Sequence, residues 1–215
     1  MDYLSAVNRV LRLLREPEIV SVVQGDVVSD IVQEYVNDAK RSVEDAHNWN
    51  SLRHEWSETI SSGEKEFSLT GSGSLPLVDN IYGSDGTELE AVTNPDLRRM
   101  QYGSVGLTGG RPRYYAINGV TAANDVKIRV HPAPDADYDV DVWGYKKTPD
   151  LALDSDPILV PSKPVIYLAY ALAARERGEV GGQTAAEIFG MSSQYLKDAI
   201  AQDAALNTLE YNWYS

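Results

Sequence analysis

Three histidines, thirty-two carboxylates and no cysteine set the chemistry open to this 215-residue chain. Without cysteine there is no disulfide, no thiolate metal site and no thiol nucleophile. His47 and His54 stand seven residues apart, a spacing that would align them on one side of a continuous helix. Residue 54 falls at or beyond the expected helix end, and no carboxylate cluster flanks the pair at ligand spacing, so both read as boundary or surface histidines, as does His131. Asp135, Asp137, Asp139 and Asp141 alternate with Ala136, Tyr138, Val140 and Val142, which places the carboxylates on one face wherever the segment is extended. Oxygen-rich spacing can suggest calcium. An EF-hand loop, however, needs glycine at its sixth position and glutamate at its twelfth, where this sequence has Val140 and Lys146. The stretch reads as a turn leading into a strand with a solvated acidic face. Weak cation binding and contact with basic residues of a partner are its functional alternatives.

Glycines recur at 103, 106, 109 and 110, yet Arg111-Pro112-Arg113 leads into a strand, so no helix follows to complete a phosphate cradle. A loop that orders against a neighbour is the functional reading. Arg98, Arg99, Arg111 and Arg113 flank it and form the basic concentration of an otherwise acidic chain, which suits a salt-bridging subunit contact better than nucleic acid. With Gly106 they are the candidate subunit contacts. No Walker lysine loop, nucleophile elbow, metalloprotease histidine pair or Rossmann fingerprint is present. The sequence therefore implies no catalytic residue, no metal and no cofactor.

The elements that must carry these residues follow from composition and period. Hydrophobic residues make up 43% of the chain, enough for a buried core. The net charge of −13 is spread as −3, −6 and −4 over residues 1–53, 54–150 and 151–215, so acidity belongs to the whole surface. It favours solubility and repels polyanions. No apolar run reaches membrane-spanning length, and the N-terminus lacks the basic-then-apolar pattern of a signal peptide. Leu4, Val7, Leu11 and Leu14 predict a helix ended by Pro17. Asp26 caps a longer one with Val28, Val32, Tyr35 and Ala39 on its inner face. The period then shortens. A β-hairpin is expected from Trp56–Ile60 and Lys65–Leu69 about Gly63, followed by strands at 75–81, 88–92, 113–117, 126–130 and 138–145. Asn94 should cap a short helix carrying Pro95 at its first position. Ser162 should cap a helix reaching Arg177, apolar on every side from Val165 to Ala174. Thr184-Ala185-Ala186-Glu187 is a capping box opening a last helix to about Leu206. The expected fold class is α+β: an antiparallel four-helix bundle of two N-terminal and two C-terminal helices (1–53 and 151–206), with an inserted small antiparallel β-sandwich or barrel (54–150). Neither helical pair buries its apolar stripe alone. A tail, 207–215, ends the chain. Leu209, Tyr211, Trp213 and Tyr214 make that end aromatic, whereas chain ends are usually polar, so it either folds back or anchors in another chain.

The whole chain resembles the adaptor proteins of short-tailed phages, the tail tubular protein A or head-to-tail joining family. The likeness is carried by the early helical pair running into Ala46-His47-Asn48-Trp49-Asn50-Ser51-Leu52-Arg53, and by Arg111-Pro112-Arg113-Tyr114-Tyr115 with Val130-His131-Pro132-Ala133-Pro134. The run Tyr138–Lys147 and the alanine-rich helix from Pro161 to Gly178 complete it. The resemblance implies a structural virion protein with no enzymatic activity, in a ring of twelve subunits below the portal at the capsid vertex. The ring would join portal protein to the tail nozzle or other tail proteins such as fibres. Genome DNA would cross its lumen without specific binding, and no membrane is involved. Tyr211, Trp213 and Tyr214 are the expected portal contacts. The same features leave three other readings: a head-completion connector of a long-tailed phage, a β-sandwich glycan-binding module using strand Trp and Tyr, and an acid/base hydrolase built on two of the many carboxylates.

Overall fold

The computed structural model describes residues 1–24, 26–73, 76–103, 109–178 and 185–208. Among them the protein is α+β, with five α-helices and two sheets. The chain divides into two compact units, Met1–Leu52 with Thr148–Ser215, and Arg53–Lys147.

In the first unit, Asp2 and Asp26 cap α1 (Tyr3–Leu13) and α2 (Val27–Ala46), each carboxylate accepting from a backbone N–H three residues on, at 2.8 Å. Tyr3, Ala6, Val7, Val10 and Leu11 form the buried stripe of α1, and Val32, Val36, Ala39 and Val43 that of α2. α4 (Ser162–Arg177) packs against α1, α2 and α5 (Ala185–Thr208), which explains its apolar circumference. Its C-terminus is closed by Gly178 at φ 61°, a left-handed position that glycine takes without a Cβ clash. The expected Ser162 cap is not formed: Ser162 is inside the helix and Pro161 holds the cap position without a side-chain hydrogen bond. Thr184 of the capping box lies outside the described residues.

Lys40 and Glu44, one turn apart on α2, are both buried. The Lys40 ammonium lies 3.3 Å from the Glu44 carboxylate and donates to the carbonyls of Thr148 and Pro149 at 2.9 and 2.8 Å. The Thr148 hydroxyl donates to Glu44. Asn37 adds a reciprocal pair with the backbone of Leu151, donating to its carbonyl at 3.1 Å and accepting from its N–H at 2.8 Å. α2 thereby fixes the segment on which the chain returns to the helical unit.

The second unit holds seven strands: β1 (Arg53–Ile60), β2 (Glu66–Ser68), β3 (Leu77–Gly83), β4 (Glu90–Ala91), β5 (Tyr114–Val120), β6 (Val126–His131) and β7 (Tyr138–Tyr145). They form two separate sheets, ordered β1-β7-β3 and β2-β6-β5-β4, so the barrel alternative is corrected. The sheets bury one apolar core, to which Trp56, Ile60, Ile81, Val140 and Val142 come from the first and Phe67, Tyr115, Val126, Ile128 and Val130 from the second. The expected β1–β2 hairpin is not formed. β1 pairs with β7 and β2 with β6, in different sheets, because Trp56 and Ile60 on one and Phe67 on the other then meet across the core. All pairings are antiparallel except β4 with β5, which is parallel and corrects the all-antiparallel expectation.

Between β4 and β5 lies α3 (Asn94–Gly103), which packs on β5 and β6. Its cap is Thr93 rather than Asn94: the Thr93 hydroxyl accepts from the Asp96 N–H and donates to the Asp96 carboxylate. Asn94 instead donates to the Ile117 carbonyl. Leu97 of α3 and Ala116 of β5 are buried outside the shared core, so α3 covers the outer side of the four-stranded sheet.

Candidate functional site

The four arginines that the sequence singles out have different surroundings. Arg111 pairs with Asp85 and lies over the Tyr138 ring, 5.6 Å from its centroid, while the Tyr138 hydroxyl donates to Asp135 at 2.7 Å. The backbone N–H and the hydroxyl of Thr87, with Arg111 assisting, hold the Asp85 carboxyl below its usual pKa. Gly83 leaves the room for this guanidinium, since a Cβ there would lie 2.7 Å from Arg111 Nη2. Arg111 is thus a clip between the end of β3, the approach to β5 and the start of β7. Arg99 makes a loose surface pair with Asp96 at 3.5 Å. Arg98 and Arg113 are exposed and have no ion pair among the described residues. Gly106 lies outside the described residues, as do Tyr211, Trp213 and Tyr214.

The acidic series has a defined place. Asp139 and Asp141 point away from the core on β7, the central strand of its sheet, and accept the hydroxyls of Thr59 and Ser57 on β1 at 2.7 Å each. Asp137 accepts the Ser62 N–H and Asp135 the Tyr138 hydroxyl. Their ligands are therefore neutral donors, and among the described residues no three acidic or histidine side chains are grouped as a metal site.

Alternation along β7 adds residues that the sequence reading did not single out. Trp143 stands on the same outer face, 47% exposed, opposite Glu55 of β1 and Asn80 of β3. A cleft of about 300 Å³ beside it is lined by Arg53, Asp79, Asn80, Tyr82, Trp143 and Gly144. Arg53 lies over Tyr145, 5.9 Å from the ring centroid. Period-two spacing from Asp139 to Trp143 was the available signal. The neighbours from β1 and β3 had none, because they arrive by long-range pairing.

The expectation that residue 54 falls beyond the helix end agrees with the structure. α2 ends at Ala46, so His47 and His54 do not share a helix. His47 pairs with Asp203 at 3.1 Å and stacks edge-on with Trp49, whereas His54 is on β1 against Trp56. Burial, with Lys65 assisting, lowers the His131 pKa. In the helical unit, Val20, Val23 and Val27 are strongly exposed, and a cleft of about 290 Å³ between α2 and α4 is lined by Val28, Ile31, Val32, Ala173 and Glu176.

Exposed rings set among charges, and an apolar strip on a second unit, are surfaces of a contact-making protein. The chain belongs to the SU10 adaptor protein family, whose match covers residues 1–210. This is a family of phage head–tail adaptors, structural virion components that contact other capsid and tail proteins and not a class of enzymes. No curated protein matches the chain. No helix among the described residues is long and apolar enough to cross a membrane.

Proposed function

We propose that this adaptor forms a ring, of twelve subunits as in the short-tailed phage adaptors it resembles, that joins the portal to the tail nozzle and leaves a passage for DNA. The observation that carries this reading is the family match over residues 1–210. The four helices α1, α2, α4 and α5 act as one bundle, with residues 54–150 as the inserted module. The exposed valines of the helical unit and the charged faces of the β unit support it, since an axial connector needs dissimilar surfaces for dissimilar neighbours. The aromatic tail, 207–215, docks on the portal through Tyr211, Trp213 and Tyr214, while Arg98, Arg99, Gly106, Arg111 and Arg113 lie toward a neighbouring subunit or the nozzle. Carboxylates lining the passage repel DNA phosphates and limit sticking during transit, an effect the net charge of −13 supports.

Electron microscopy of the purified chain mixed with purified portal rings tests this. Annular particles coaxial with the portal are expected, and absence of binding would refute the role. Deleting Asn207–Ser215 should abolish portal binding with folding intact; normal binding by the truncated chain would remove the tail from the interface. A virion in which the ring meets a long tail would make it a head-completion connector instead.

A further inference from the structure

The outer face of β1-β7-β3 carries a hollow that the strands themselves build. β3 is bulged between Val78 and Asn80, so Asp79 and Asn80, neighbours in sequence, both line the cleft beside Trp143 instead of pointing to opposite faces. Gly144 meets the bulge from β7: a Cβ there would overlap the Leu77 carbonyl oxygen, so the close approach of β3 needs a residue without a side chain. Arg53 reaches the same cleft from β1, where it lies over the Tyr145 ring and donates from Nε to the Tyr145 hydroxyl at 3.3 Å. Asn80 is held by donating its amide to Glu88. Asp79 forms no hydrogen bond or ion pair among the described residues. Three strands thus bring a guanidinium, a carboxylate, an amide and the Tyr82 phenol around one indole that is 47% exposed. Among the described residues no aromatic or cationic group covers that indole.

We infer that this cleft binds a neutral hexopyranose unit of a saccharide chain, a function beyond the adaptor reading and independent of the ring. A pyranose has an apolar face of C–H groups and a rim of hydroxyls, each of which donates and accepts. The negative face of the indole attracts the C–H groups. Donors on Arg53 and Tyr82 and acceptors on Asp79 and the Asn80 side-chain carbonyl meet the hydroxyls, with charge-assisted hydrogen bonds at Arg53 and Asp79. The volume of about 300 Å³ is at the lower end of the ~300–1,000 Å³ of small-ligand sites, which suits a sugar ring and not a docked helix. Other occupants fit less well. Glu55 and Asp141 stand beside Trp143 on the same face and, with Asp79, repel uronates and phosphates. A peptide arginine would meet Arg53 at the rim, and an apolar side chain would strip water from Asp79 without replacing it.

The test is saturation-transfer difference NMR on the full chain, with oligosaccharides of glucose, galactose, mannose and N-acetylglucosamine as separate probes. At least one should bind with a dissociation constant of about 1 mM or tighter, its ring C–H protons receiving the largest transfer. Trp143→Ala and Asp79→Ala should each weaken that binding about tenfold or more, and Trp143→Phe should restore most of what Trp143→Ala loses. Arg9→Ala, exposed in the other unit, should change nothing. Circular dichroism of each variant separates lost binding from lost fold. Absence of binding by every probe would overturn the inference. So would binding that survives both alanine substitutions in a folded chain, or tighter binding of polygalacturonate than of the neutral probes. Electron microscopy with portal rings is scored on the same variants. Saccharide binding without annular particles keeps the cleft and refutes the ring, and annular particles without saccharide binding do the reverse. Loss of the particles through Trp143→Ala, with no saccharide bound by the natural chain, would overturn the inference in favour of a subunit contact.

Discussion

Replacing Lys40 by alanine should unfold the helical unit far more readily than its place on a helix surface in the sequence would suggest. Its ammonium is fully buried, 3.3 Å from Glu44, and donates at 2.9 and 2.8 Å to the two carbonyls where the chain returns to the unit. Removing it leaves a carboxylate buried without its cation, which costs about 3–5 kcal/mol. The two carbonyls lose charged donors as well, each worth roughly 1–3 kcal/mol if left dry, but these costs overlap with the first and do not add in full. Glu44→Gln should cost less, about 2 kcal/mol, because Lys40 keeps both carbonyls and glutamine still accepts the Thr148 hydroxyl. Urea-dependent hydrogen exchange read on peptides of α2 and of residues 148–160 measures the effect in the unit concerned. A Lys40→Ala variant destabilised there by less than about 1 kcal/mol would refute the reasoning, since it would mean that water or a neighbour compensates the charge.

Gly144→Ala should destabilise the β unit by about 1–3 kcal/mol, because an added Cβ would overlap the Leu77 carbonyl oxygen where β3 pairs with β7; faster exchange confined to β3 and β7 checks it. Burial pushes the Tyr3 hydroxyl up to about 12 from 10.0. The fold thus favours the protonated phenol, and the stability this contributes is whole below pH 10 and lost as pH rises toward 12. Urea unfolding across that window should fall more steeply for the natural chain than for Tyr3→Phe, which cannot ionise.

How much was legible varies by element. Val7 and Leu11 of α1, with Leu14 at its end, announce the helix by spacing alone and are buried, and the Asp26 cap is formed at the residue expected. β6 and β7 bury alternate residues as their sequences alternate. The cap of α3 was displaced by one residue: Thr93 and Asp96 satisfy each other, which frees Asn94 to reach Ile117. The β1–β2 hairpin failed because nearness in sequence lowers the cost of closure, but the apolar residues on the two strands are better buried facing each other than side by side. Of the candidate contacts, Arg111 could not be told from Arg113 by type or spacing. Only the position of Asp85 and Tyr138 makes one a clip and leaves the other exposed.

The sequence by itself determined the periods, the Asp26 cap and the absence of cysteine, because these depend on neighbours within a few residues or on composition. Tertiary structure alone decided that β7 lies between β1 and β3, that Trp143 stands between Glu55 and Asn80, and that Lys40 is buried against Thr148 and Pro149. Those partners are tens of residues apart. They are selected by which faces exclude water together, a property of the whole packed chain that no local window contains.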